Sequence, residues 1–198
     1  IRAIETPLVA LINNDVEVIS SDWLEEMVSQ AMRPEIGCVG AKLYYPNDTI
    51  QHAGIILGIG GIAGHWQKGE KRGSAGYFNH LNLIRAYSAV TAACLVVKKS
   101  IYEEVGGLDE ENLKIAFNDV DFCIKVREAG YRNLFTPFAE LYHHESISRG
   151  FEDTPEKQKR FQNEVCFIKN KWGDLLLHDY LYNTNLSQDF EKVAFRVR

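Results

Sequence analysis

The chain opens on an apolar run, "PLVALI", that breaks off at Asn13-Asn14-Asp15, with Glu17 two positions on. A short continuous aliphatic and β-branched run predicts a buried strand. Its carboxyl end delivers two amides and a carboxylate to the edge where ligands sit in open α/β sheets, so the triad is either a turn or a site. The period then changes. "SSDWLEEMVSQAM" carries Trp23, Leu24, Met27 and Val28 at helical spacing, with Asp22 and Glu25 set as a capping box and Pro34 as the stop. "GCVGAKLYY" reads as a strand, "PND" as a turn, and "IQHAGIILGIGGIAG" as a strand followed by a glycine-rich loop. "GEKRGSAGYFNH" is polar and is expected to be a mobile connection.

"AYSAVTAACLVVKKS" is an apolar strand running into a helix start, where Ser100 and Glu103 form a second capping box and Gly106-Gly107 closes the short helix. A helix is predicted from about Asp119 to Ala129, stopped by Gly130, then a strand toward Pro137 and a further short strand in "AELYHHES". Pro155 in a first turn, with Phe161, Val165, Ile168 and Trp172 at helical spacing, marks a final packing helix. Strands alternate with helices without a repeat period, which predicts an α/β class with a mostly parallel sheet.

At 198 residues the chain suits one domain with a real core. A net charge of −5 leaves no surplus of Lys and Arg for phosphate contacts, which excludes nonspecific nucleic-acid binding. Cys38, Cys94, Cys123 and Cys166 are widely spaced in apolar runs and read as buried free thiols, as in a reducing compartment. No apolar run reaches the roughly 18 to 20 residues that span a bilayer.

Three polar clusters stand at element ends: Asn13-Asn14-Asp15, then Asn118-Asp119 with Asp121, then His143-His144-Glu145. Each has an ordinary structural role open to it. Asp15 can close an Asx turn, Asp119 and Asp121 can serve as an N-cap and a first-turn acid, and one of the two histidines, which alternate faces, can be a core residue. Together the types complement one another, because Asp oxygen and His nitrogen can share a divalent cation while a further carboxylate acts as a base.

"LINNDVEVISSDWLEEM", "AVTAACLVVKKSIYEEVGGLDE" and "FNDVDFCIKVREAGYRNLFTPFAELYHHES", in that order, resemble the family-2 inverting glycosyltransferases of the GT-A fold, particularly their bacterial rhamnosyltransferase-like branch. The likeness covers about residues 1–150. It implies an open mixed, mostly parallel sheet flanked by helices, in a single domain over 1–198 with 151–198 as a C-terminal helical extension. It further implies that the chain is the metal and acceptor half of a catalytic domain, lacking the N-terminal half that holds the nucleobase and ribose, and inactive alone.

By the same resemblance Asn13, Asn14 and Asp15 stand at the D-x-D signature facing the donor diphosphate, with Asn13 in place of its first acid. Asp15 and His143 become ligands of Mg2+ or Mn2+, and Asp119 becomes the catalytic base. Asn118, Trp66 and His144 fall on the acceptor side, with Tyr77 and Phe78 as further stacking faces and His52 and His65 flanking them. The implied partners are a nucleotide-sugar donor and a saccharide or lipid-linked saccharide acceptor, met in the cytoplasm at the inner face of the plasma membrane. The Q-x-x-R-W signature of processive synthases is absent, which favours addition of one sugar at a time. One rival is a binding or scaffolding domain that keeps the acceptor groove without catalysis. Another, a metal-dependent nucleotidyltransferase, needs a basic glycine-rich phosphate loop early in the chain, which this sequence lacks.

Overall fold

The computed structural model describes residues 1, 3–144, 154–189 and 191–196. In chain order its elements are β1 (Leu8–Ile12), β2 (Val16–Val18), α1 (Trp23–Ala31), β3 (Ile36–Tyr44), β4 (Ile50–His52), β5 (Ile55–Leu57), β6 (Ala63–His65), β7 (Arg85–Tyr87), β8 (Cys94–Lys98), α2 (Lys99–Glu104), α3 (Asn118–Glu128), β9 (Arg132–His143) and α4 (Pro155–Trp172). A seven-stranded sheet runs β1-β8-β3-β9-β2, with β4 added to β3 and β7 to β9, and β5 and β6 form a separate hairpin. Among the described residues no helix is long and apolar enough to cross a membrane.

The sheet is mixed, and the expectation of mostly parallel pairing is corrected. Only β3 and β9 pair in parallel; every other described pairing is antiparallel. Continuous apolar runs mark burial on both faces, which is a property of central strands in either direction, and three-residue strands such as β2, β4 and β7 are too short to show a period. Because β8 runs opposite to both β1 and β3, the strands β1, β3 and β9 nevertheless point the same way. Their carboxyl ends therefore share one edge of the sheet.

Strand β3 is buried along its whole length. Val39, Ala41 and Leu43 pack with Met27 and Ala31 of α1, while Cys38 and Tyr44 join Phe122, Val126 and Phe135 in the larger core on the other face. The Val, Leu, Met and Phe side chains among them contribute roughly 1.5–3 kcal/mol each. The two strands expected around Pro137 are one. Strand β9 runs through the proline, and its register against β3 shifts between Phe135 and Glu140, so the residue that lacks an amide donor sits in a bulge.

Neither expected capping box forms. Asp22 makes no side-chain cap bond, and α2 starts at Lys99, which puts Ser100 inside the helix rather than at its cap. Thr154 does cap α4, accepting from the Lys157 amide at 3.3 Å. The polar connection expected to be mobile is tied down: Lys42 donates to the Leu81 carbonyl at 2.9 Å, and Arg72 lies over the rings of Tyr44 and Tyr142. Cys38, Cys94 and Cys123 are buried free thiols, whereas Cys166 is exposed on α4, two positions from the buried Glu164 and Ile168 and so turned away from the face that they bury.

Beyond α4 the chain forms a short 3-10 turn and then crosses the β5–β6 hairpin without regular structure. Asp179 fastens it there, accepting from the Leu57 amide at 2.8 Å and the Ser88 hydroxyl at 2.7 Å.

Candidate active site

Asn13-Asn14-Asp15 is both a turn and the place where the chain changes sides. Strand β1 ends at one edge of the sheet order and β2 resumes at the other, so the triad bridges the carboxyl ends between them. Crossings of this kind leave backbone and side chains facing a crevice. Asn13 continues the ladder by donating its amide to the Ala93 carbonyl at 2.9 Å, and the Asp15 carbonyl accepts from the His144 amide at 2.9 Å.

Those two ties bring Asp15 against the last residue of β9. Asp15 Oδ1 lies 3.2 Å from His143 Nε2, and the Asn13 side-chain amide lies 3.1 Å from the same nitrogen. His143 is 8% exposed. Asp15 Oδ1 is buried and has no hydrogen-bond partner. A buried carboxylate oxygen left without a donor beside an imidazole nitrogen is an arrangement that a divalent cation satisfies, since Asp and His both ligate such ions. Among the described residues no group of three or more His, Cys, Asp or Glu side chains is placed to hold a metal. A two-ligand pair suits Mg2+ or Mn2+, which are often held by one or two protein groups with phosphate oxygens and water completing the shell.

Asp119 reaches the same edge from the first turn of α3. Its carboxylate accepts from the Ala92 amide at 3.3 Å and from the Val120 amide at 2.8 Å, and the Thr91 hydroxyl also bonds to it. The dipeptide Ala92-Ala93 thus holds Asp119 through one residue and Asn13 through the next. Burial pushes the Asp119 carboxyl above its ordinary value, against the pull of those hydrogen bonds. Desolvation of this kind makes a carboxylate a stronger base. Phe117, just before α3, has φ 62°, in the left-handed region that costs a bulky residue energy.

Other expected site residues fall elsewhere. Trp66 is 2% exposed and packs edge-on against Tyr182 with ring centres 5.0 Å apart, so it cannot stack on a sugar; its apolar bulk went to the core. His144 turns to the opposite side of β9 from His143 and meets Glu17 at 3.0 Å. Asn14 is exposed in the turn and Asn118, the first residue of α3, is partly exposed. Phe78 is 78% exposed and Tyr77 lies edge-on to it. Asp121, read as a first-turn acid, is fully buried and bonded to α4. Glu145 lies outside the described residues.

Spacing gives no sign of Gln51, and His52 and His65, expected to flank the acceptor-side aromatics, pair with each other behind Thr91. His52 Nδ1 and His65 Nδ1 are 2.9 Å apart, and His52 Nε2 accepts from the amides of Gly54, at 3.3 Å, and Thr91, at 3.4 Å. Gly54, at φ 101°, turns the chain so that its amide faces back onto the ring, with the Tyr87 ring too close for any side chain. The pair therefore braces the residue whose hydroxyl bonds to Asp119. Burial first, then the charges of Lys68 and His143, pull His65 down to about 4, and burial holds His52 well below its ordinary value. The unfolded chain then binds these protons more tightly than the fold. Stability is full above the ordinary value of 6.5 and declines as pH falls toward about 4, by up to about 3 kcal/mol for His65. Denaturant midpoints between pH 7 and 4.5 should show that slope, and His65→Gln should flatten it. An unchanged slope in the variant would clear the pair of the effect.

The fold is that of the GT-A glycosyltransferases. Two solved structures show it. One is the mannosyltransferase PcManGT from Pyrobaculum calidifontis in complex with GDP-Man and Mn2+, with a TM-score of 0.53 and 14% identity, matched over 86% of this chain and 40% of that one. The other is GalNAc-T7 with UDP, GalNAc and Mn2+, with a TM-score of 0.56 and 12% identity, over 86% of this chain and 32% of that one. No family model matches the chain. Among curated proteins it is 58% identical over 180 residues, 91% of its length, to the uncharacterized protein y4gI of Sinorhizobium fredii, and 40% identical over 151 residues, 75% of its length, to the O-antigen biosynthesis protein RfbC of Myxococcus xanthus. It is also 27% identical over 82 residues, 41% of its length, to an N-acetylglucosaminyl-diphospho-decaprenol L-rhamnosyltransferase of Mycobacterium tuberculosis. The solved structures thus show a GT-A fold, and two of the relatives carry the names of an O-antigen biosynthesis protein and a rhamnosyltransferase. The chain spans 20% and 12% of the lengths of the first two relatives.

Proposed function

We propose that this chain carries the chemical centre of an inverting glycosyltransferase that moves a sugar from a nucleoside diphosphate to a saccharide or lipid-linked saccharide acceptor in surface polysaccharide synthesis. The observation that supports it most is the meeting of Asp15 Oδ1 and His143 Nε2 at 3.2 Å, two main-chain ties from a desolvated carboxylate at Asp119. The reading is supported by the names of two relatives, an O-antigen biosynthesis protein in Myxococcus and, in Mycobacterium, a rhamnosyltransferase acting on a lipid-linked sugar. The reading includes work on such an acceptor at the cytoplasmic face of the membrane.

Asp15 and His143 would hold Mg2+ or Mn2+. Bound there, the metal would supply positive charge against the departing diphosphate. Asp119 removes the proton of the acceptor hydroxyl as its oxygen bonds to the anomeric carbon and the bond from that carbon to the diphosphate oxygen breaks. Attack on the face opposite the leaving group inverts the configuration. The Ala92 amide and Thr91 hydroxyl fix the carboxylate's direction, leaving it no rotamer to find during the reaction.

Asp15→Ala in the intact protein should lower Mn2+- or Mg2+-dependent transfer by about 10²-fold or more, the scale of several kcal/mol of charge stabilisation. Stability should fall by no more than about 1–2 kcal/mol, since the turn's main-chain bonds remain. Undiminished wild-type transfer in excess chelator would end the metal reading. Binding of acceptor without any transfer, in the wild-type protein with donor and metal present, would favour a binding domain instead.

A further inference from the structure

Gln51 sits in the middle of β4, 5% exposed, and both ends of its side-chain amide contact one residue. Its Nε2 donates to the His143 main-chain carbonyl at 3.3 Å, and its Oε1 lies 2.7 Å from His143 Nδ1. The chemistry of the partners fixes which way round this amide lies. A carbonyl oxygen only accepts, so the NH2 group must face it, and the amide oxygen must face the ring. That oxygen in turn only accepts, so Nδ1 carries a hydrogen. In the neutral imidazole the other nitrogen, Nε2, is then the lone-pair nitrogen. The Asn13 amide, at 3.1 Å, is placed to donate to that lone pair, and Asp15 Oδ1 faces it without a hydrogen-bond partner.

We propose that Gln51 is a positioning residue that locks His143 as its Nδ1–H tautomer and so presents Nε2, ready to bind, to a divalent cation shared with Asp15. The inference rests on the metal reading above. One amide holds both the ring and the backbone of the same histidine, which removes the ring flip as well as the choice of tautomer. Histidine ligands are commonly oriented this way by an acceptor on the far nitrogen, and loss of that partner costs about 10- to 100-fold in metal affinity. A Gln that merely satisfied buried polar groups would influence stability and leave tautomer and affinity alone.

The test uses the full chain labelled with 15N-histidine, metal-free and then titrated with Mn2+ alone, read by long-range 1H–15N correlation and by paramagnetic broadening of the His143 ring signals. His143→Ala assigns the signals. The expected result is a protonated Nδ1 and an unprotonated Nε2 in the unaltered chain, and a tautomer mixture with about 10- to 100-fold weaker Mn2+ broadening in Gln51→Leu. Gln51→Glu, which still accepts from Nδ1–H, should restore the tautomer and most of the affinity. A proton on Nε2 in the unaltered chain overturns the inference without any variant. So does wild-type Mn2+ affinity in Gln51→Leu when Asp15→Ala has lost binding. Broadening that is equal in Asp15→Ala and the unaltered chain overturns the metal reading itself, and the two failures are thereby told apart.

Discussion

Asp119→Asn in the intact protein should reduce sugar transfer by about 10²- to 10⁴-fold, the loss typical of removing general-base assistance, while donor binding and stability hold. The substitution is nearly isosteric. An Asn oxygen can still accept from the Ala92 amide, which Asp119 engages at 3.3 Å, so the loop and the start of α3 keep their anchor. What is lost is the capacity to take a proton, together with one acceptor toward the neighbouring Val120 amide. Because burial raises the wild-type carboxyl above its ordinary value, the wild-type rate should climb with pH through a value above the ordinary aspartate range, and the residual rate of the variant should lose that rise. Initial rates at saturating donor and acceptor across pH 4–8 check both points. A variant that runs near the wild-type rate would leave Asp119 a structural residue and move the base elsewhere.

Asp121, two positions on, should respond in the opposite way. Its carboxylate is fully buried; Oδ1 accepts from Trp172 Nε1 at 2.8 Å and Lys171 Nζ at 2.6 Å, while Oδ2 lies 3.3 Å from Lys125 Nζ. Removing one member of a buried pair leaves charge uncompensated and costs about 3–5 kcal/mol. Asp121→Ala should therefore lose stability of that order and release α4, seen as a shifted denaturant midpoint and faster amide exchange along Phe161–Trp172. Any loss of rate should follow the folded fraction. A stable but inactive Asp121→Asn beside an active Asp119→Asn would mean that the base had been placed one half-turn wrong.

The sequence pattern reached the elements more surely than their pairing. The apolar runs of β1, β3 and β8 and the periodic faces of α1, α3 and α4 are long enough to show their period. Direction was not legible, because burial on both faces erases alternation and the short antiparallel strands carry too few residues to count. Among candidate site residues, Asp15, His143 and Asp119 were reachable because acids and histidines at strand ends and helix starts stand out against an apolar background. The choice of His143 over His144 depended on register, which β2 sets by pairing Val16 with His143. Trp66 misled because an aromatic beside glycines looks exposed in sequence, whereas its surroundings come from Tyr182, more than a hundred positions away. Gln51 was invisible for a related reason: an amide carries no signature of its own, and its meaning comes wholly from the residue 92 positions later that it touches.

The crossing from β1 to β2 also sets a rule for anyone wishing to rebuild this protein. Three residues span the gap, and the main chain is pinned at both ends, by Asn13 to Ala93 and by Asp15 to His144. The span works as a ruler. One residue added to it would shift β2 by one position against β9, and since side chains alternate across a strand, Val16 would turn outward while Glu17, now beside His144, would turn into the apolar layer beneath α1. Loops elsewhere on the surface tolerate lengthening at small entropic cost. This one should not, so libraries or chimeras that exchange the turn should vary the identity of Asn14 and leave the count of residues between Ile12 and Val16 untouched.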